Sequence, residues 1–257
     1  MSRQLVVTLL LIASALLGGC ATTPTFTRIA VSPGARVGVV NLLPASGIRN
    51  VHMGYTVFGN YDKNLGSDWQ LDQRAIEDTR SLLRDGGYEV VDVTLSAAQV
   101  EALQQRADQT NLNFNGLTDE WKQTYQALLD KERLSAVVVL REDVRYVGER
   151  GPVLTGFGIS SIFGRAPTLA HIFVTTTADV IGGLPPHRSI GSCYGTEMFD
   201  TALVHVDNFA DAKLSDLEPI RPKFEALLDK RIRFELASSG LLAEQPICVP
   251  PTYHRRS

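Results

Sequence analysis

Residues 136–140 read AVVVL, five apolar side chains in a row, and they follow on a stretch of helical period. A short run of that kind is a strand buried on both faces, which requires helices to cover it above and below. The same alternation occurs earlier in the chain. Residues 37–43 (VGVVNLL) form an apolar run ended by Pro44, and 88–93 (YEVVDV) form another. Between them Leu71, Ala75, Ile76, Thr79, Leu82 and Leu83 recur at helical spacing. Ser67 and Gln70 stand three apart ahead of that stripe, as in a capping box, and Gly86-Gly87 stops it. Ser96 and Gln99 repeat the capping pattern before Val100, Leu103 and Ala107. A third helix over 119–132 turns Trp121, Tyr125, Leu128 and Leu129 inward. Helices alternating with buried strands predict an α/β sheet whose strands are partly parallel.

The remaining segments predict antiparallel additions to that sheet. In 51–61, Val51, Met53, Tyr55, Val57, Gly59 and Tyr61 alternate with other residues, the period of a half-buried strand or hairpin arm. In 169–181, Ala170, Ile172, Val174, Thr176, Ala178 and Val180 share one face. His171, Thr175, Thr177 and Asp179, with Phe173 among them, share the other, which predicts one wet side. Residues 188–199 are its expected hairpin partner across 182–186. A last helix carries Ile220, Phe224, Leu227, Leu228 and Ile232, with Ser215 and Glu218 as its cap, prolines 219 and 222 in its opening turn, and Gly240 at its end. With 44% hydrophobic and 21% charged residues, the 257-residue chain suffices for one packed core. The expectation is a single α/β domain over 36–249, with a mixed parallel/antiparallel sheet and flanking helices.

The first twenty residues set the compartment. Arg3 supplies a positive start, and 5–17 form an apolar stretch before Gly18-Gly19. Thirteen helical residues reach only about 20 Å, too little for a bilayer core of about 30 Å. Leu17-Gly18-Gly19-Cys20 resembles the lipobox of bacterial lipoproteins. That resemblance implies cleavage after a signal peptide of residues 1–19 and a diacylglycerol on Cys20. It also implies acylation of the new N-terminus, and two or three chains anchor stably where one is marginal. Ala21 rather than Asp follows the cysteine, which by the same resemblance points to the periplasmic face of the outer membrane. Residues 20–35, rich in Thr, Pro and Ala, are expected to form a lipidated tether, and 250–257 a flexible tail.

Charge narrows the partners. The formal net charge is −3, and loss of Arg3 with the leader takes it to −4, so nucleic acid is excluded as a partner. With Cys20 lipidated, Cys193 and Cys248 remain in an oxidising compartment. One bridge would close a loop of about 55 residues and contribute about 4 kcal/mol. Two unpaired buried thiols are the alternative.

Catalytic and metal patterns are weak. Gly191-Ser192-Cys193-Tyr194-Gly195 formally matches a nucleophile elbow, which needs a helix behind the nucleophile, whereas 196–199 continue as strand. His205-Val206-Asp207, even with His171 or His187, lacks the spacing of a metal site. No catalytic, metal or cofactor residue is assigned. Gly156, Gly158 and Gly164 carry no lysine for a phosphate cradle. The side chains between them, Phe157, Ile159, Ile162 and Phe163, suit a loop that covers the core, inserts into a membrane surface or receives a partner, and this is the candidate interaction site. Arg141, Glu142, Asp143 and Arg145 are expected on a solvated face.

The order of apolar strand, helix, GGYEVV strand, helix and AVVVL is similar to a group of periplasmic lipoproteins. That group includes the curli-secretion-channel lipoprotein and the activator lipoproteins of penicillin-binding proteins. The resemblance, over 36–242 with Asp179 to Gly183 as its hairpin, implies an anticodon-binding-like fold and a non-enzymatic binding or assembly role in the envelope, in secretion among other tasks. No site residue carries over. Two other expectations stand beside it: a hydrolase or transferase using Cys193, and a subunit of an oligomeric outer-membrane pore with 51–61 entering the bilayer.

Overall fold

A computed structural model describes residues 28–45, 47–53, 60–97, 99–100, 119–143, 145–146, 153–162, 169–183, 187–189, 196–204, 206, 208 and 209–246. The first sheet is the one the alternation predicts. Strand β1 (Arg36–Asn41) lies between β4 (Glu89–Asp92) and β5 (Ala136–Glu142) and runs parallel to both. Strand β10 (Thr176–Gly182) pairs antiparallel with β5, and β11 (His187–Ser189) with β10, giving the order β11-β10-β5-β1-β4.

Helices cover both faces, as buried strands require. Helices α1 (Leu71–Asp85) and α3 (Arg221–Ser239) cover one face, and α2 (Asp119–Glu132) covers the other. Every predicted apolar position of α1 and of α3 is buried, and so are Tyr125, Leu128 and Leu129 of α2; the Trp121 side chain lies outside the described residues. Gly87 (φ 83°) follows α1 and Gly240 (φ 90°) follows α3, each in the left-handed region that glycine reaches without strain.

The expected single sheet is two. Strand β2 (Ile48–Met53) leaves the end of β1 and pairs with β3 (Tyr61–Asn64) and β8 (Phe157–Ile162). With β9 (Leu169–Val174) and β12 (Thr196–Asp200) these make a second five-stranded sheet, ordered β12-β9-β8-β2-β3. A small ribbon of β6 (Arg145–Tyr146) and β7 (Val153–Leu154) lies beside it. One continuous core joins the sheets: Ile48, Phe157, Ile159, Ile172 and Val174 cluster with Val39, Val138, Leu83 and Phe224. The chain is thus an α/β domain with mixed parallel and antiparallel strands and flanking helices.

The divided architecture corrects several expectations. The 169–181 strand is broken at Thr175, where the chain passes from β9 in one sheet to β10 in the other. Its second face is largely buried, with His171 half-buried: Phe173 packs against Val51 and Leu154, Thr175 donates to the Gly156 carbonyl, Thr177 to Glu235 of α3 at 3.4 Å, and Asp179 pairs with Arg141. Residues 188–199 split likewise, β11 pairing with β10 but β12 with β9. Segment 51–61 folds back on itself, with Val51 opposite Asp62 and His52 opposite Tyr61, so Val51 and Tyr61 face opposite ways.

The boundaries also move. The tether was expected to extend to residue 35, yet Ile29 is 2% exposed and its N–H donates to the Ser239 carbonyl, so the packed domain includes it. The Ser67/Gln70 box is not formed; Gln70 itself is the N-cap of α1, at φ 49° and without a side-chain cap. The Ser96/Gln99 box is formed, with Ser96 N–H to Gln99 Oε1 at 2.9 Å and Gln99 N–H to Ser96 Oγ at 3.3 Å. Residues 101–118, which complete the helix expected there, lie outside the described residues. Before α3, a 3₁₀ stretch (Leu214–Ile220) is capped by Asp216 accepting from Lys213 N–H, while Glu218 accepts from the Trp69 indole at 2.7 Å.

Candidate functional site

The pairing of β2 fixes what stands beside His52. Parallel register with β8 sets it opposite Ser161, and antiparallel register with β3 sets it opposite Tyr61. Directly opposed side chains on one sheet face lie within contact. His52 Nδ1 is 2.8 Å from Ser161 Oγ. The Tyr61 ring stacks on the imidazole with centroids 5.2 Å apart and planes 20° apart. The Tyr61 phenol hydrogen-bonds the side chains of Ser161 and Asn50. Burial holds that phenol above the usual tyrosine range; the two hydrogen bonds oppose the shift and Asp211 adds to it.

A short roof completes the cluster. The 3₁₀ turn Phe209–Asp211 accepts from Asn50 Nδ2 through the Phe209 carbonyl at 2.6 Å, and from Lys63 Nζ through the Ala210 carbonyl at 2.5 Å. Lys63 Nζ also stands 5.4 Å from the centre of the Tyr61 ring. Asn50 is buried, and its Oδ1 has no hydrogen-bond partner among the described residues. The same strand face carries Ile48, Phe157 and Ile159 in the core, then changes to Asn50, His52, Tyr61 and Ser161. Polar groups at such positions cost stability that apolar ones would not.

On the other side of β2 an open cleft of about 510 Å³ is bounded by Arg49, Val51, Met53 and Asp62, and reaches His52 and Tyr61. Arg49 forms its wall. The guanidinium pairs with both carboxylate oxygens of Asp62 and donates from one terminal nitrogen to the Thr155 carbonyl at 2.9 Å and the Thr155 hydroxyl at 2.6 Å. A bidentate Arg–carboxylate pair fixes geometry as well as charge. Arg49 therefore ties β3 to the turn between β7 and β8.

A second charged cluster lies inside the domain. Arg141 Nε is 2.5 Å from Asp179 Oδ2, so the expectation of a solvated face fails for Arg141. Burial alone would discourage charge on that guanidinium, but Asp179 outweighs it and the pKa is raised. Arg231 of α3 donates to the Thr176 carbonyl and lies 3.7 Å from Asp143 and 3.8 Å from Glu235. These contacts pin α3 to the start of β10.

The candidate interaction loop is mostly strand. Phe157 and Ile159 are each 1% exposed within β8, which removes them from any interaction surface. Gly156 takes φ 76°, and a Cβ on Gly158 would lie 2.2 Å from the Arg49 carbonyl and 2.5 Å from the Phe173 ring. Gly156 and Gly158 thus serve a turn and a close strand contact, and Gly164 lies outside the described residues. Ile162 closes β8; its side chain, Phe163, Cys20, Cys193, Cys248, His205 and Asp207 lie outside the described residues. Among the described residues, no three His, Cys, Asp or Glu side chains converge as metal ligands, and no helix is long and apolar enough to cross a membrane.

His52 and Ser161 were not singled out by sequence. They are 109 positions apart, and only the β2–β8 register joins them. The available signal was Asn50 and His52 at alternate positions beside the apolar Ile48. No protein-family model matches the chain, and a search of curated proteins finds no match.

Proposed function

We propose that the chain is a lipid-anchored lipoprotein of the outer membrane, facing the periplasm, that acts by binding or assembling envelope components. The leader and Cys20 support the location, and association alone suffices for the role, with no catalytic step in it. The observation that carries the binding role is the cleft beside β2 and β3. Its Arg49, Met53, His52 and Tyr61 include three residue types enriched at protein interfaces, arginine, methionine and tyrosine. The apolar surface offers less: Leu203, at 44% exposed, is the large hydrophobic side chain that stands out among the described residues, and a single one marks no patch.

A photoreactive amino acid at Met53, in lipidated protein in intact cells, tests this reading. The expected result is a discrete crosslinked species absent when the same group replaces exposed Arg84 on α1. Identical products from both positions, or none from Met53, would overturn it.

A further inference from the structure

We propose that Ser161 is a nucleophile with His52 as its base, so that this end of the second sheet accepts acyl groups from carboxylic esters. This adds an activity to the binding role and does not depend on it. A serine hydroxyl is a weak nucleophile unless a base within hydrogen-bond reach takes its proton and a third group orients that base. Here the base stands 2.8 Å away, and the Tyr61 ring stacks on the face of the imidazole and restricts its rotation. Both Ser161 and His52 are half-buried rather than sealed in the core, and the cleft on the other side of β2 reaches His52 and Tyr61.

Ser161 Oγ is hydrogen-bonded to both the Tyr61 phenol and His52 Nδ1, and the step proposed uses the arrangement in which the phenol donates to Oγ and the Ser161 hydroxyl donates to Nδ1. The phenol is protonated at neutral pH, burial raising its pKa further above the usual tyrosine range, and beside Ser161 it is a group that can donate to an oxyanion. The Lys63 ammonium near the same ring adds positive charge.

In the step proposed, the Ser161 proton passes to His52 as Oγ bonds to the ester carbon. The carbonyl electron pair moves to oxygen and meets the Tyr61 phenol. Collapse expels the alcohol, which takes the proton from His52, and leaves an acyl-serine. Water then attacks that ester, giving a proton to His52; collapse expels Ser161 Oγ, which takes that proton back from His52, and releases a carboxylic acid. No oxidant or reductant enters.

A fluorophosphonate tests this on the purified mature protein, because Oγ attack at phosphorus expels fluoride and leaves a stable adduct. Peptide mass spectrometry of the wild-type protein is expected to place the adduct on Ser161. His52→Gln is expected to slow labelling about 100-fold or more, the usual contribution of a general base, and to remove its dependence on pH. Tyr61→Phe keeps the ring and is expected to slow it by about 100-fold. No adduct on Ser161, or equal labelling of the folded His52→Gln variant, would overturn the proposal. The wild-type mapping decides the first outcome even if a variant fails to fold. The crosslinking result at Met53 is independent of both.

Discussion

Arg141 and Asp179, on neighbouring strands of the first sheet, form an ion pair whose side chains are only 11% and 6% exposed. Removing one partner strands a buried charge, whereas replacing both with apolar groups of similar size removes the desolvation problem. Asp179→Ala is therefore expected to destabilise the domain by about 3–5 kcal/mol. The double variant Arg141→Met with Asp179→Leu is expected to lie close to the wild type. Chemical denaturation of the three variants measures both, and a double variant as unstable as Asp179→Ala would contradict this account of the pair.

Gly158 permits the close approach of β8 to β2 and to the Phe173 ring. A methyl group there would meet the Arg49 carbonyl at 2.2 Å, which is backbone and cannot swing aside. Gly158→Ala is expected to lose about 1–3 kcal/mol through overpacking, with a lower melting temperature by calorimetry. Gly34, where a Cβ meets nothing within 4 Å, is the comparison for a glycine free of contact but held at φ 84°.

Asp78 on α1 gives the stability a pH dependence. Its carboxyl is pushed above the ordinary value of 3.8, first by burial; Arg74 opposes this, and Asp229 and Glu225 of α3 reinforce it. An acid whose pKa is higher folded than unfolded favours folding while protonated. That contribution is present below 3.8 and is lost as pH rises through the folded value. Asp78→Asn is therefore expected to raise the melting temperature at pH 7 and to match the wild type more closely near pH 3. A lower melting temperature than wild type at pH 7 would contradict the assignment.

The sequence announced the first sheet because its strands are short apolar runs between helices whose stripes are complete. All six predicted positions of α1 are buried, and AVVVL pairs on both edges, with β1 and β10. The second sheet was hidden because its strands reach it by leaving the first. Period two continues through Thr175 although the chain changes sheets there, since alternation reports side-chain facing and not strand partner. Arg141 looked solvated because its partner, Asp179, is 38 residues away. The site was hidden for the same reason: Asn50, His52, Tyr61 and Ser161 lie on three strands, and their spacing in the chain carries no motif.

Mass spectrometry of the protein extracted from membranes tests the proposed role at its root. The account predicts a mature chain beginning at Cys20, carrying a diacylglycerol on sulfur and a further acyl chain on the amine. A chain that begins elsewhere, or an unmodified Cys20, would contradict it.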